Sequence, residues 1–242
     1  MKIFCPNRPN RYGDIILSLP HLNWLEKQYP DSYKVAAISP ACKQIIPLLY
    51  NHPLINNIYV TENDENFTVE DILKSGSFGS FDEYYNPFPQ VTDSGWFNKR
   101  HISLELFIMN CDLLNNERRT LLEYNSLDEQ DKFPKLNPWF KSNKHKNCIA
   151  ILPETGYGNL DSTIKQRSPT KEFWTSLTDP LVKRGYHILQ FGHPKSEKLE
   201  HKNIEDCRNL SFFDMIKEIL GCELLIGTDT GAMHVINAYG FN

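Results

Sequence analysis

The chain has 242 residues, a formal net charge of -4, 40% hydrophobic residues and 12% aromatics. That length suits two domains, each able to bury a core. No domain-wide basic excess points to nucleic acid, no run approaches the ~18 apolar residues of a membrane span, and "MKIFCPNRPNRYGD" has no apolar core for a signal peptide.

The predicted elements alternate. "KIFCP" (2–6) is a strand, and "DIILSLPHLNWLEKQY" (14–29) is a helix with Ile15, Leu19 and Leu22 on one face. "KVAAIS" (34–39) is a buried strand followed by helical "ACKQIIPLLYN"; "INNIYV" (55–60) is a third strand. "TVEDILKS" (68–75) reads as a short helix, "FDEYYN" (81–86) as a fourth strand, and "ISLELFIMNCDLL" (102–114) as a helix. From 115 to 147 the chain turns polar, which marks a domain boundary; domains of 1–140 and 141–242 follow.

The rhythm then restarts. "CIAILP" (148–153) is a strand, and the loop "ETGYGNLDSTIKQR" leads to a helix with Ser168 as N-cap and Pro169 as first residue, lined by Phe173, Leu177 and Leu181. "YHILQFG" (186–192) is a strand. "SFFDMIKEILGC" (211–222) opens with a capping-box-like Ser211 and Asp214 and turns Ile216, Ile219 and Leu220 inward; "ELLIG" is the last strand, and a final helix covers about 230–240. Strands alternating with helices predict an α/β protein with parallel sheets. The six cysteines include no C-x-x-C pair, so zinc-ribbon and thioredoxin readings lack support; free thiols in a reducing cytoplasm are the simplest reading.

Three clusters can carry chemistry. Gly13 and Asp14 stand at the junction of strand one and helix one, where open α/β sheets bind ligands. A carboxylate at a helix N-terminus is held charged and can accept a proton, or it merely caps the helix. The loop 154–169 combines glycines with Lys165 and Arg167 and suits a phosphate, or is an ordinary surface loop. In "GTDTGAMH", Thr228 to Gly231 expose backbone N–H groups at a helix N-terminus, and Gly227 and Gly231 leave room for a ligand. Asp229 either caps the helix or orients a neighbour. His234 shares a helix face with Thr230 and is either a ligand contact or a satisfied histidine.

At these residues a resemblance emerges. "YGDIILSLPHLNWLEKQYPDSYKVAAIS" resembles the N-terminal signature of the ADP-heptose:lipopolysaccharide heptosyltransferases, glycosyltransferase family nine, and "GTDTGAMHVINAYG" resembles the family's second signature. "QRSPTKEFWTSL" and "GYHILQFGHPKSE" fit the intervening pattern more loosely, so the likeness runs along about 1–60 and 147–240. The resemblance implies a GT-B fold of two Rossmann-like domains facing across a cleft, with acceptor bound by the first and nucleotide-sugar by the second. It implies inverting, metal-independent transfer with no cofactor: Asp14 (beside Gly13 on the acceptor side) is the base, and Asp229, Thr230, Gly231 and His234 hold the donor diphosphate with Lys165 or Arg167. ADP-heptose is the implied donor and a lipopolysaccharide-core or other glycan the acceptor, with work in the cytoplasm at the inner face of the membrane and peripheral contact with it. Nucleic acid is not an expected partner.

Two departures stand out. Many family members carry Lys-x-Trp-Pro where this chain has Gln166-Arg167-Ser168-Pro169. The family also continues beyond the second signature, whereas this sequence stops at Asn242; an incomplete second domain is therefore expected, either as a fragment or as a short member. A non-catalytic nucleotide-sugar-binding chain and another GT-B enzyme, such as a sugar-nucleotide epimerase, are the alternatives.

Overall fold

A computed structural model describes residues 2–4, 11–17, 19–50, 52–61, 83–85, 136, 142, 144–154 and 168–241. The chain divides into two compact units, Met1–Asn137 and Pro138–Asn242. The expected helices at 68–75 and 102–114 and most of the polar 115–147 stretch lie outside the described residues.

In the first unit, β1 (Lys2–Phe4), β2 (Tyr33–Ile38), β3 (Asn57–Val60) and β4 (Glu83–Tyr85) form a sheet in the order β3-β2-β1-β4. Every pairing is parallel. Val35, Ala36, Ala37 and Ile38 are all buried, as a continuous apolar run must be when both faces of its strand are covered. The predicted helix over 14–29 is described as α1 (Tyr12–Leu17) and α2 (Leu19–Gln28), on either side of Ser18, which lies outside the described residues. Ile15, Leu19 and Leu22 are buried as their spacing predicts, joined by Ile16, Leu17 and Leu25. After β2, the expected helix is a 3-10 turn (Pro40–Ile45) followed by the short α3 (Ile46–Leu49). Pro47 stands in the first turn of α3, where its missing N–H costs nothing.

Two polar groups in this unit are held with little water. The Lys34 ammonium is buried and donates to Glu26 Oε2 at 2.6 Å, linking β2 to α2. Between α3 and β3, His52 Nδ1 accepts from the Leu54 N–H at 3.3 Å. Burial holds that imidazole well below its usual 6.5, at about 4. The unfolded chain therefore takes up a proton near pH 6.5 while the folded one does not until about pH 4. This contribution to stability is complete above pH 6.5 and is lost as pH falls from 6.5 to 4, by roughly 3 kcal/mol at the limit. In His52→Asn, whose side-chain carbonyl can still accept from Leu54 N–H, urea midpoints fall less than in the parent chain over this window. Equal slopes would contradict the assignment.

In the second unit, β5 (Cys148–Leu152), β6 (His187–Gln190), β7 (Ile204–Asp206) and β8 (Leu224–Gly227) form a parallel sheet in the order β7-β6-β5-β8. Both sheets thus follow the same order, with the first strand of each unit between the second and the fourth. The helices among its described residues are α4 (Lys171–Lys183), α5 (Phe212–Ile219) and α6 (Gly231–Ala238).

Three expectations are corrected here. The cap of α4 is Thr170, whose hydroxyl accepts from the Phe173 N–H at 3.3 Å, so Ser168 and Pro169 lie before the helix. The buried face of α4 centres on Trp174 and Thr178, with Leu177 and Leu181 packed beside them, while Phe173 is 52% exposed. At the end of α5, Leu220 is only partly buried; Phe212 and Met215 complete the inner face with Ile216 and Ile219. The Ser211 cap holds as expected, accepting from the Asp214 N–H at 3.1 Å. The short edge strand β7 was not anticipated from sequence.

Candidate functional site

In an open parallel sheet, ligands gather outside the carboxyl ends of the strands at the point where the strand order reverses. In the second unit that point lies between β5 and β8. Pro153 and Glu154 leave β5 there, and Thr228, Asp229 and Thr230 lead from β8 into α6. Thr228 extends the ladder by one residue, its N–H donating to Leu152 O at 3.0 Å and its hydroxyl lying 3.4 Å from the same oxygen. That amide is therefore not free for a ligand, contrary to the sequence expectation. Gly227 is not ligand space either. A Cβ there would lie 3.0 Å from Leu152 Cβ, 3.2 Å from Leu152 O and 3.3 Å from Met233 Sδ. The glycine allows β8 to pack against β5 and α6.

What remains open is the start of α6. Thr230 occupies the cap position in extended geometry but makes no side-chain capping bond. Its Oγ1 is buried and has no hydrogen-bond partner among the described residues. The first turn of α6, beginning at Gly231, thus presents N–H groups that lack intrahelical acceptors and receive no cap from the Thr230 side chain, beside a hydroxyl with no partner among the described residues. Both features suit an anion, which the positive end of the helix favours. Thr230 O closes the first turn by accepting from His234 N at 3.4 Å, so Thr230 and His234 sit one turn apart. Asp229 Oδ1 lies 3.2 Å from His234 Nε2. Of the two roles open to Asp229, orienting a neighbour is the one the geometry favours, since Thr230 takes the cap position.

The rest of this sheet end is braced. The Gln190 carboxamide, buried at the end of β6, donates to Glu197 O at 2.7 Å and accepts from Leu199 N at 2.9 Å. Glu154 Oε1 accepts from Glu197 N at 3.2 Å. Arg208 forms two parallel bonds to Asp206, Nε to Oδ1 at 2.7 Å and Nη2 to Oδ2 at 2.8 Å, and also donates to Ser196 O. The guanidinium holds the Asp206 carboxyl down at about 2. One segment, 196–199, is thereby tied to the ends of β5, β6 and β7. Sequence reasoning passed over Gln190, Asp206 and Arg208; the only local signal was Gly192, which follows an apolar strand and adopts φ 144°.

In the first unit, Gly13 and Asp14 fall in the first turn of α1, the helix that follows β1. Asp14 is the third residue of α1 rather than its cap. The Tyr12 hydroxyl donates to Ala41 O at 3.2 Å and ties the start of α1 to the 3-10 turn after β2. The structure therefore groups Asp229, Thr230, Gly231 and His234 at one helix end in the second unit and places Gly13 and Asp14 in the first. Lys165 and Arg167 lie outside the described residues. Among the described residues no group of three or more His, Cys, Asp or Glu side chains could hold a metal.

Against solved structures, the likeness spans 98% of the chain. With E. coli ADP-heptose LPS heptosyltransferase II it covers 82% of that protein at 16% identity and a TM-score of 0.66. With the glycosyl transferase family 9 protein of Veillonella parvula DSM 2008 it covers 77%, again at 16% identity and 0.66. The chain has the fold of these glycosyltransferases. E. coli heptosyltransferase WaaC, solved with ADP, is similar at 10% identity with a TM-score of 0.56 and 86% of its length covered. No family model and no curated protein matches the chain. At these identities the likeness establishes the GT-B-like α/β architecture; the chemistry must come from the site itself.

Proposed function

We propose that the chain is a glycosyltransferase that binds a nucleotide-diphosphate sugar in its second unit and transfers the sugar to a hydroxyl of a glycan acceptor bound by its first. The observation that carries this reading is the uncapped start of α6 at the β5/β8 switch point, with the unsatisfied Thr230 hydroxyl beside it. A diphosphate satisfies both. The fold adds support, because one of the similar structures holds ADP and another is an ADP-heptose LPS heptosyltransferase. ADP-heptose is accordingly the proposed donor and a lipopolysaccharide-core glycan the proposed acceptor.

In the proposed reaction, Asp14 takes the proton of the acceptor hydroxyl as its oxygen attacks the anomeric carbon from the face opposite the diphosphate. The bond from that carbon to the diphosphate breaks, and the departing oxygens gain charge. Fixed backbone N–H dipoles at Gly231 and the following residues stabilise that charge without having to reorganise. His234, oriented by Asp229, lies one turn along the helix, and Lys165 or Arg167, which follow β5 in sequence, supplies the cation. No metal enters the scheme. No described helix is long and apolar enough to cross a membrane; the proposed place of action is the cytoplasmic face of the inner membrane, reached by peripheral contact.

Thermal-shift screening with ADP- and UDP-sugars tests the donor class, with stabilisation by ADP and ADP-sugars expected. Gly231→Val places a branched side chain at the first residue of α6, against the proposed diphosphate. ADP binding should weaken by at least about 100-fold, the scale of losing two charge-assisted hydrogen bonds. Unchanged binding would place the diphosphate elsewhere.

A further inference from the structure

The amino ends of β5 and β8 carry a feature that the proposed reaction does not use. Cys148 opens β5, and Cys222 lies in the turn between α5 and β8; their Sγ atoms are 3.8 Å apart. Both are buried, Cys148 at 1% exposed and Cys222 at 7%. The backbones that carry them are already held together, since the Glu223 N–H donates to Cys148 O at 2.9 Å and Ile149 pairs with Leu224 in the next register position. The sulfurs must close from 3.8 Å to the roughly 2.05 Å of a disulfide, across backbones that the sheet already holds side by side. The other described cysteines are badly placed to compete: Cys42 belongs to the first unit, and Cys207 follows β7 at the opposite, carboxyl end of the sheet.

We propose that Cys148 and Cys222 are a latent disulfide, formed on exposure to a peroxide, that staples β5 to the α5–β8 turn. The more accessible Cys222 thiol reacts first, giving a sulfenic acid as peroxide is reduced to water and a second oxygen is retained on sulfur. The Cys148 thiol then attacks that sulfur, the S–S bond forms, and the sulfenic oxygen leaves as water with the two remaining protons. Two thiols lose two electrons and the peroxide becomes two waters.

Reaction is slow, because burial pushes both thiols up, with Glu218 and the neighbouring thiol adding to the effect at Cys222. Thiolate is scarce at neutral pH, so brief exposure leaves the pair reduced. Once formed, the bond joins residues 74 apart in sequence and restricts the unfolded chain of the second unit. It lies at the end of β5 and β8 opposite Leu152 and Gly227, so the α6 site keeps its geometry.

The test is prolonged treatment of the full chain with hydrogen peroxide, followed by intact mass, non-reducing peptide mapping and thermal melting, with Cys222→Ser in parallel. The expected result is a peptide linking Cys148 to Cys222, a mass two hydrogens lower, and a melting temperature raised by several degrees that reductant reverses. Cys222→Ser shows none of these changes. If peptide mapping of the parent chain finds Cys222 as a sulfinic acid, joined to another cysteine, or still reduced while other thiols of the chain have oxidised, the proposal is overturned, whether or not the variant folds.

Discussion

In Asp14→Asn the proposed sugar transfer is expected to fall by about 10²–10⁴-fold, the contribution of a positioned general base, while ADP binding changes little. The substitution keeps size and hydrogen-bonding capacity but removes the proton acceptor. Binding is spared because the proposed diphosphate site belongs to the second unit and Asp14 to the first. The prediction rests on the position of Asp14 in the first turn of the helix that follows β1. A carboxylate there is favoured in its charged form by the helix dipole, which suits a base but also costs stability when neutralised. Loss of activity together with a collapse in melting temperature would therefore not count; the result must be a folded, nucleotide-binding, inactive chain. Wild-type turnover in that variant would leave Asp14 as an ordinary first-turn residue.

Trp174→Ala lowers the stability of the second unit by about 3–5 kcal/mol, the usual cost of truncating a buried aromatic residue. Trp174 is 3% exposed and packs with Ile149, Ile151, Ile188 and Leu199, between α4 and the two central strands. Domains have only ~5–15 kcal/mol of stability in all, so the variant comes close to unfolding. Trp174→Phe makes the interpretation sharper. The indole N–H is buried without an acceptor among the described residues, so replacing it with a phenyl ring removes an unsatisfied donor that itself costs about 1–3 kcal/mol. That gain offsets much of the lost volume, and Phe should cost far less than Ala. Urea unfolding followed by hydrogen exchange in the second unit measures both. An alanine effect below about 1 kcal/mol, or a Phe effect equal to it, would contradict the packing described.

The central strands were legible because burial on both faces writes a simple pattern: "VAAI" and "CIAIL" are uninterrupted apolar runs and lie in β2 and β5. The edge strand β7 was not legible, since Ile204–Asp206 pairs on one side only and carries two exposed acids. On α4 the apolar stripe was legible at Leu177 and Leu181, which pack against the core, but not at Phe173, whose place is taken by Trp174. Phe173, Leu177 and Leu181 repeat every four residues, but so do Trp174, Thr178 and Val182, and only packing on the sheet decides which of them turn inward. Ser168-Pro169 has the local chemistry of a helix start, yet Thr170 makes the capping bond. In the site, Asp229, Thr230, Gly231 and His234 were readable because they are contiguous along one turn-to-helix junction. The sequence could not reveal that Gly227 is filled by Leu152 and Met233, or that Arg208, Asp206, Gln190 and Glu154 brace one loop, because those partners are assembled only by tertiary contact.

The central claim is that a nucleotide diphosphate occupies the start of α6. Hydrogen exchange of the full chain with and without ADP tests it most directly. ADP is expected to slow exchange of the amides from Asp229 to His234, with smaller effects in the sequence that follows β5, and to leave the amino ends of β5 and β8 unchanged. Protection confined to the first unit, or none near α6 at saturating ADP, would contradict it.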